Sequence, residues 1–267
     1  MAELIRNMPA NEYHSTRRVS KSGLDKIARS PAHYVAAIKS PSAPSKSMRI
    51  GTAVHSLVLE GIAPLVMPTF SGKGSVALRD EWKAAHDCAN LLILDEDEAA
   101  DVHAMAASVA LHPIAGLAFR RADGFAEASI MWDCEVTGAK CKSRPDWIIP
   151  GAIIDLKTSG DASPSAFARS VASYRYQVQA AYYLQAAACV DLGAEHFIFV
   201  VVESTAPFAV AVYQLDDEAM EHGRKLYLRD LGAYMRCKES GAWPGYPTDI
   251  QTLSLPRWAT YIADGEG

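Results

Sequence analysis

The chain has 267 residues, 49% of them hydrophobic, with 26 Lys and Arg against 31 Asp and Glu for a formal net charge of −5. That length and balance suit a globular protein with a buried core and exclude a mainly disordered or fibrous chain. An acidic total also stands, at first reading, against a nucleic-acid partner, because phosphate binders usually carry a basic excess.

The charge is uneven along the chain. Residues 1–60 hold nine Lys and Arg against four Asp and Glu, a net +5, and the remainder holds 17 against 27, a net −10. Within the basic part, Ser20 or Ser22 caps a short helix near Leu24–Ala28, SPSAPS at 40–45 reads as a loop, and Met48 to Glu60 has helical apolar spacing. GIAPLVMPTFSGKGS, with two prolines and three glycines, reads as a strand-and-loop insertion. Residues 80–94 are predicted helical, and Asp95 with Glu98 offers a capping-box start to a helix reaching about Leu111.

From about residue 125 the pattern turns to strands. FAEASIMWD, then roughly Ala139 to Ile149, then GAIIDLK are β-type runs separated by Thr137-Gly138 and Pro150-Gly151; the second turn is short enough to make an antiparallel hairpin. Tyr174 to Val190 reads as a long helix, and HFIFVVVE and PFAVAVYQL as strands, the first apolar enough to be buried on both faces. Asp216 caps a last helix reaching about Cys237, and the tail 238–267 is irregular. The order α, βββ, α, ββ, α predicts an α/β fold, a mixed β-sheet flanked by helices.

The five cysteines (Cys88, Cys134, Cys141, Cys189, Cys237) are odd in number and scattered without a CxxC pair, so no disulfide framework or thiolate metal site is expected. MAELIRNMPANEYHS lacks the apolar core of a signal peptide, and no apolar run reaches the roughly 18 to 20 residues that span a bilayer. A cytoplasmic protein with no membrane partner is the expectation.

RPDWIIPGAIIDLKT holds the chemistry. Residues two apart on a strand share a face, so Asp155 and Lys157 project together while Leu156 points the other way, and the hairpin brings Asp146 alongside. A surface hairpin with a cross-strand ion pair is the ordinary account of a D-x-K triplet. Here the charges interrupt an apolar strand, where unpaired charge is costly. Two carboxylates and an ammonium on one patch can hold Mg²⁺ and orient a nucleophilic water.

Asp146, Asp155 and Lys157, with Pro145 before the first aspartate, resemble the PD-(D/E)XK nuclease signature. SKSGLDKIARSPAHY, GTAVHSLVLEG, KSRPDWI, IIDLKTS and YRYQVQAAYYL, in that order, resemble segments of the RecE-type exonucleases of that superfamily, related to the lambda-type phage exonucleases. The resemblance covers most of residues 13–237. It implies a restriction-endonuclease-like core over about 120–237, joined in a single domain to a basic helical portion over about 1–119.

It also implies roles for particular residues. His55, Asp146 and Asp155 would ligate metal with the Leu156 carbonyl, and Lys157 would be the catalytic lysine. Gln179 and Tyr183 match the family's Q-xxx-Y helix motif; four residues apart, they share a face and would hydrogen-bond either the DNA backbone or the lysine. Glu127 is a further candidate for a metal or its water, with Glu60 and Glu135 as competing carboxylates. A histidine ligand suits Mn²⁺ as well as Mg²⁺. Arg18, Ser22 and Arg49 are candidates for a pocket holding a 5′ phosphate.

The implied activity is metal-dependent 5′→3′ degradation of linear double-stranded DNA from its ends, leaving 3′ single strands, in a bacterial or phage-infected cell. The implied assembly is a homotrimeric or homotetrameric ring working with a single-strand annealing recombinase. An endonuclease or single-strand-specific nuclease of the same superfamily, and a non-catalytic DNA-end-binding module, are the alternatives.

Overall fold

The computed structural model of the chain describes residues 2–40, 43–86 and 92–255. Its first half runs β1 (Glu3–Ile5), α1 (Ala10–Ser15), α2 (Lys21–Arg29), α3 (Pro31–Lys39), α4 (Lys46–His55) continuing into a π-helical turn (Ser56–Glu60), β2 (Leu65–Val66), α5 (Ser75–His86), β3 (Ile93–Leu94), α6 (Glu96–Leu111) and α7 (Ala115–Phe119). The second half runs β4 (Phe125–Ala126), β5 (Ser129–Asp133), β6 (Lys140–Ser143), β7 (Trp147–Ile149), β8 (Ala152–Ser159), α8 (Pro164–Tyr174), α9 (Tyr176–Cys189), β9 (His196–Glu203), β10 (Val210–Gln214) and α10 (Asp217–Ser240). A five-stranded sheet has the order β10-β9-β8-β7-β4, with β8 and β9 parallel and the other pairs antiparallel. A three-stranded antiparallel sheet has the order β1-β5-β6.

Strand alternation explains the layers. Ile154, Leu156, Val200 and Val202 pack against Ala53, Val54, Val102 and Met105 of α4 and α6. Ile153, Phe199 and Val201 point the other way, onto Phe167, Ala180 and Ala187 of α8 and α9. Such buried aliphatic and aromatic side chains each contribute about 1.5–3 kcal/mol. The far side of α9 buries Val178 and Tyr182 against Trp132, Leu24 and Leu231, which joins the small sheet, α2 and α10 to the large one.

Caps set several helix starts where the sequence places them. Asp95 and Glu98 form the capping box, and Asp216 accepts the Ala219 amide at 2.8 Å to open α10, which runs to Ser240. Ser20, not Ser22, caps α2. Ser30 caps a helix the sequence reading did not anticipate, α3, with Pro31 at its first position. The β7–β8 hairpin forms in the expected antiparallel register, with Ile149 opposite Ala152.

Other expectations are corrected. The helix expected over 80–94 begins at Ser75, and Ile93–Leu94 is a strand paired in parallel with β2; residues 87–91 lie outside the described residues, as do 41–42 of the expected loop and 256–267 of the tail. FAEASIMWD is two strands in two sheets, because the backbone turns over at Glu127, φ 52°. The run from Ala139 to Ile149 also splits: Pro145 has no N–H to give a ladder. The helix expected over Tyr174–Val190 forms as α9, and a further helix the sequence reading did not anticipate, α8, precedes it across Arg175 in the left-handed region. No helix among the described residues is long and apolar enough to cross a membrane.

Candidate active site

The two breaks in the strands lie side by side, with the Glu127 amide donating to the Asp146 carbonyl at 3.1 Å. There the chain passes between the sheets, and β7 stops pairing with β8 at Ile154. Beyond it β8 has β9 on one edge, while on the other the Leu156 N–H donates to Asp146 Oδ2 at 2.8 Å. A strand residue directs its N–H and C=O to the same edge, so the Leu156 carbonyl also faces the Asp146 side.

From above this edge comes α4. A Cβ at Gly51 would sit 3.3 Å from Thr158 Oγ1, so the glycine lets the helix approach β8, and His55 arrives one turn later. His55 Nδ1 is 3.5 Å from Asp146 Oδ2, immediately before the π-helical turn, a distortion common at functional sites. Ligand atoms of His55, Glu127 and Asp146 all lie within 4.8 Å of one another, the one such set of three or more His, Cys, Asp or Glu residues among those described.

Asp155 and Lys157 share a face as predicted, with Leu156 buried on the other side against α4 and α6. Asp155 Oδ2 pairs with Lys157 Nζ, and Oδ1 accepts from Gln179 Nε2 at 2.6 Å. Burial would push Lys157 down, but Asp155 and Asp146 prevail and raise it above the ordinary lysine value. Its ammonium also stands 4.9 Å from the centre of the Tyr176 ring.

The set fits a divalent cation. An octahedral shell with bonds of about 2.1 Å is roughly 4 Å across, close to the observed spread, and one imidazole with two carboxylates is a reasonable donor set for Mg²⁺ or Mn²⁺. The carboxylates also favour it: burial raises Asp146 and Glu127 above the usual carboxylate range, with like charge from Asp155 adding to Asp146 and like charge from Asp146 adding to Glu127. A folded-state carboxyl held high makes the cation-free protein lose stability as pH rises through that pKa, and a bound cation reverses this. Mn²⁺ affinity followed by titration calorimetry is therefore expected to climb with pH above the ordinary carboxylate range of about 4, up to about tenfold per unit for each proton displaced. Glu127→Gln should flatten the climb; an unchanged pH profile would remove Glu127 from the set.

Other candidates fall elsewhere. Gln179 is buried and donates its amide to Asp155, the partner of Lys157. Tyr183 lies within the electrostatic reach of Asp155, Asp146 and Glu127, and burial raises its hydroxyl well above the ordinary tyrosine value. Arg18 is bound to the Trp132 carbonyl and to Asp133, both at 2.9 Å, at the end of β5. Arg49 reaches Glu98 at 3.2 Å, and exposed Ser22 pairs with the capping Ser20, so these three do not form one pocket. Glu60 lines the cleft, whereas Glu135 is exposed in the β5–β6 turn. The residue missed is Arg144, whose Nε is 2.6 Å from Glu127 Oε2; its place directly before Pro145-Asp146 was the available signal.

The family model described as "PDDEXK-like domain of unknown function (DUF3799)" matches residues 20–256. The chain belongs to this family. In this DUF3799 chain the P-D element is Pro145-Asp146 and the D-x-K element is Asp155-Leu156-Lys157. The crystal structure of a "putative exonuclease" from Eubacterium rectale aligns with TM-score 0.64 at 14% identity, over 94% of this chain and 96% of that one. The mixed sheet flanked by helices is thus a restriction-endonuclease-like fold. The crystal structure of SSO0001 aligns over 78% of this chain and 83% of that one at 16% identity, with TM-score 0.29, too low to mark a shared fold. No curated protein matches the chain. These likenesses reach the PD-(D/E)XK superfamily and do not single out the RecE type within it.

Proposed function

We propose that the chain is a metal-dependent nuclease, and within that class a 5′→3′ exodeoxyribonuclease acting on linear duplex DNA. The observation that carries the reading is the convergence of His55, Glu127 and Asp146 beside the Asp155–Lys157 pair, with His55, Glu127, Leu156 and Lys157 lining one open cleft of about 1520 Å³. Polarity, duplex preference, a trimeric or tetrameric ring and a single-strand annealing partner rest on the resemblance of the five segments to RecE-type exonucleases. The description of the Eubacterium rectale protein agrees with an exonuclease.

His55, Glu127 and Asp146 would hold a divalent cation, which would supply charge for the phosphate and a nucleophilic water at neutral pH. Asp146 holds its place through the Leu156 amide, and Gln179 holds Asp155. Lys157, kept protonated by Asp155 and Asp146, presents positive charge where the attacked phosphate gains negative charge.

Digestion of a duplex labelled separately at each end, linear against closed circular, with Mg²⁺, Mn²⁺ or EDTA, tests the reading. Linear duplex should release 5′ label first with either ion, and closed circles should survive. Cutting of circles would make the enzyme an endonuclease, and 3′ label leaving first would reverse the polarity. No cleavage with either ion would sink the nuclease reading.

A further inference from the structure

Two cations stand next to each other on the path from β6 to β7, and the fold accounts for only one of them. Lys142 is buried and donates to the carbonyls of Tyr13 at 2.6 Å, Thr16 at 2.9 Å and His14 at 3.4 Å, so it ties the N-terminal segment to β6. Arg144 has no such set. Its Nε lies 2.6 Å from Glu127 Oε2, and its guanidinium stands 5.6 Å from the centre of the Tyr13 ring. The Glu127 contact is an ion pair without hydrogen-bond alignment, and both Nε and Nη1 are buried with no hydrogen-bond acceptor among the described residues.

Buried donors are almost always satisfied, and those left over call for a reason. Arginine offers five donors in a rigid fork, and a carboxylate paired beside Nε anchors that fork without using it up. Arg144 lines the same cleft as His55, Glu127, Leu156 and Lys157, so an acceptor entering the cleft can reach it. Around it His14 is held below the ordinary histidine value by burial and then by Lys142 and Arg144, as expected in a positive field.

We propose that Arg144 is a phosphate-binding residue, oriented by Glu127, which gives its free donors to a non-bridging oxygen of a nucleic-acid phosphodiester beside the His55–Glu127–Asp146 set. The assignment rests on the nuclease reading. It links two events at one carboxylate, because Glu127 both faces the cation set and aims the guanidinium. It also gives a reason for the unusual backbone at Glu127, where φ is 52°: the turnover delivers the carboxylate to both neighbours.

The test is the binding of a fluorescein-labelled duplex, followed by anisotropy over a series of KCl concentrations with Ca²⁺ in place of Mg²⁺. Mn²⁺ titration calorimetry without DNA and thermal melting are run beside it. Arg144→Gln should weaken binding about tenfold and lower the slope of log affinity against log salt by about 0.7–0.9, the loss of one phosphate contact. Mn²⁺ affinity should be kept. Arg144→Lys, which retains the charge beside Glu127, should keep the slope and lose several-fold in affinity because the fork is gone; it carries the test if the glutamine variant does not fold. Unchanged affinity and slope in the glutamine variant would overturn the proposal. So would a collapse of Mn²⁺ binding with the slope intact, since Arg144 would then only support Glu127. A wild-type protein that binds no duplex would instead remove the nuclease reading beneath it.

Discussion

Asp155→Ala is expected to abolish DNA cleavage, by at least about 10³-fold, and to lower the melting temperature by about 10 °C. Both effects follow from what Asp155 touches. Its side chain is 1% exposed, one oxygen pairing with Lys157 and the other accepting from Gln179. Truncation leaves a buried ammonium with only Asp146 to hold its charge against desolvation, and an amide with no acceptor. Breaking one side of a buried pair costs about 3–5 kcal/mol. Lys157 is raised in the folded state, so its contribution is fully present below the unfolded lysine value and is lost only as pH rises through the folded pKa. In the wild-type protein this contribution should therefore be the same at pH 6 and pH 8. Asp155→Asn separates the two effects, because it keeps an acceptor for Gln179 while removing the charge: melting should fall less, with cleavage lost equally. Single-turnover cleavage of an end-labelled duplex and differential scanning calorimetry measure the pair of outcomes. An alanine variant within tenfold of wild-type cleavage would strike Asp155 from the site.

Strand periodicity made this centre legible before any coordinates. Asp155 and Lys157 share a face because they are two apart, and the short Pro150-Gly151 turn brings Asp146 back beside them. What periodicity does not report is a change of backbone hand inside an otherwise continuous run. Glu127 takes positive φ without being glycine, so FAEASIMWD reads as one β-type run where the structure has two strands. The run from Ala139 to Ile149 reads as one strand through Pro145, although proline cannot donate to a ladder and so marks the break. Pro31 and Pro164, each directly after a serine, are signals of the same kind for α3 and α8, two helices the sequence reading passed over.

The site shows the same division. The i, i+4 spacing of Gln179 and Tyr183 gives their common helical face, but only the packing of α9 on the sheet says that Gln179 meets Asp155. The grouping of Arg18, Ser22 and Arg49 assumed that basic residues near one another in sequence converge in space. Long-range partners decide otherwise: Arg18 is captured by β5 and Arg49 by α6. The split of charge along the chain did not locate the cleft, since of its cations Lys46 comes from the basic part but Arg144 and Lys157 from the acidic remainder, beside Glu60, Asp101 and Glu127.

Gly223→Ala should be strongly destabilising for a change of a single methyl group. Gly223 is where α10 crosses the first turn of α9, and a Cβ built there would lie 2.1 Å from the Gln177 carbonyl oxygen and 2.6 Å from its carbon. A flexible side chain could swing aside, but these are backbone atoms of a helix packed against the sheet. Overpacking usually costs about 1–3 kcal/mol and more where nothing can yield, which predicts a drop in melting temperature of roughly 6–10 °C. The helix has its own control. Gly232→Ala would meet only the Arg236 Nη1 atom at 3.4 Å, and replacing a helical glycine with alanine there should stabilise by up to about 1 kcal/mol. The two variants should thus move in opposite directions by calorimetry although they make the same chemical change on one helix. The effect should also reach the cleft. Gln177 is two residues from Gln179, so shifting the first turn of α9 loosens the amide that fixes Asp155, and Gly223→Ala should lose about tenfold in cleavage at temperatures where it remains folded. Equal melting temperatures for the two variants would mean that α10 does not cross α9 at this close a distance.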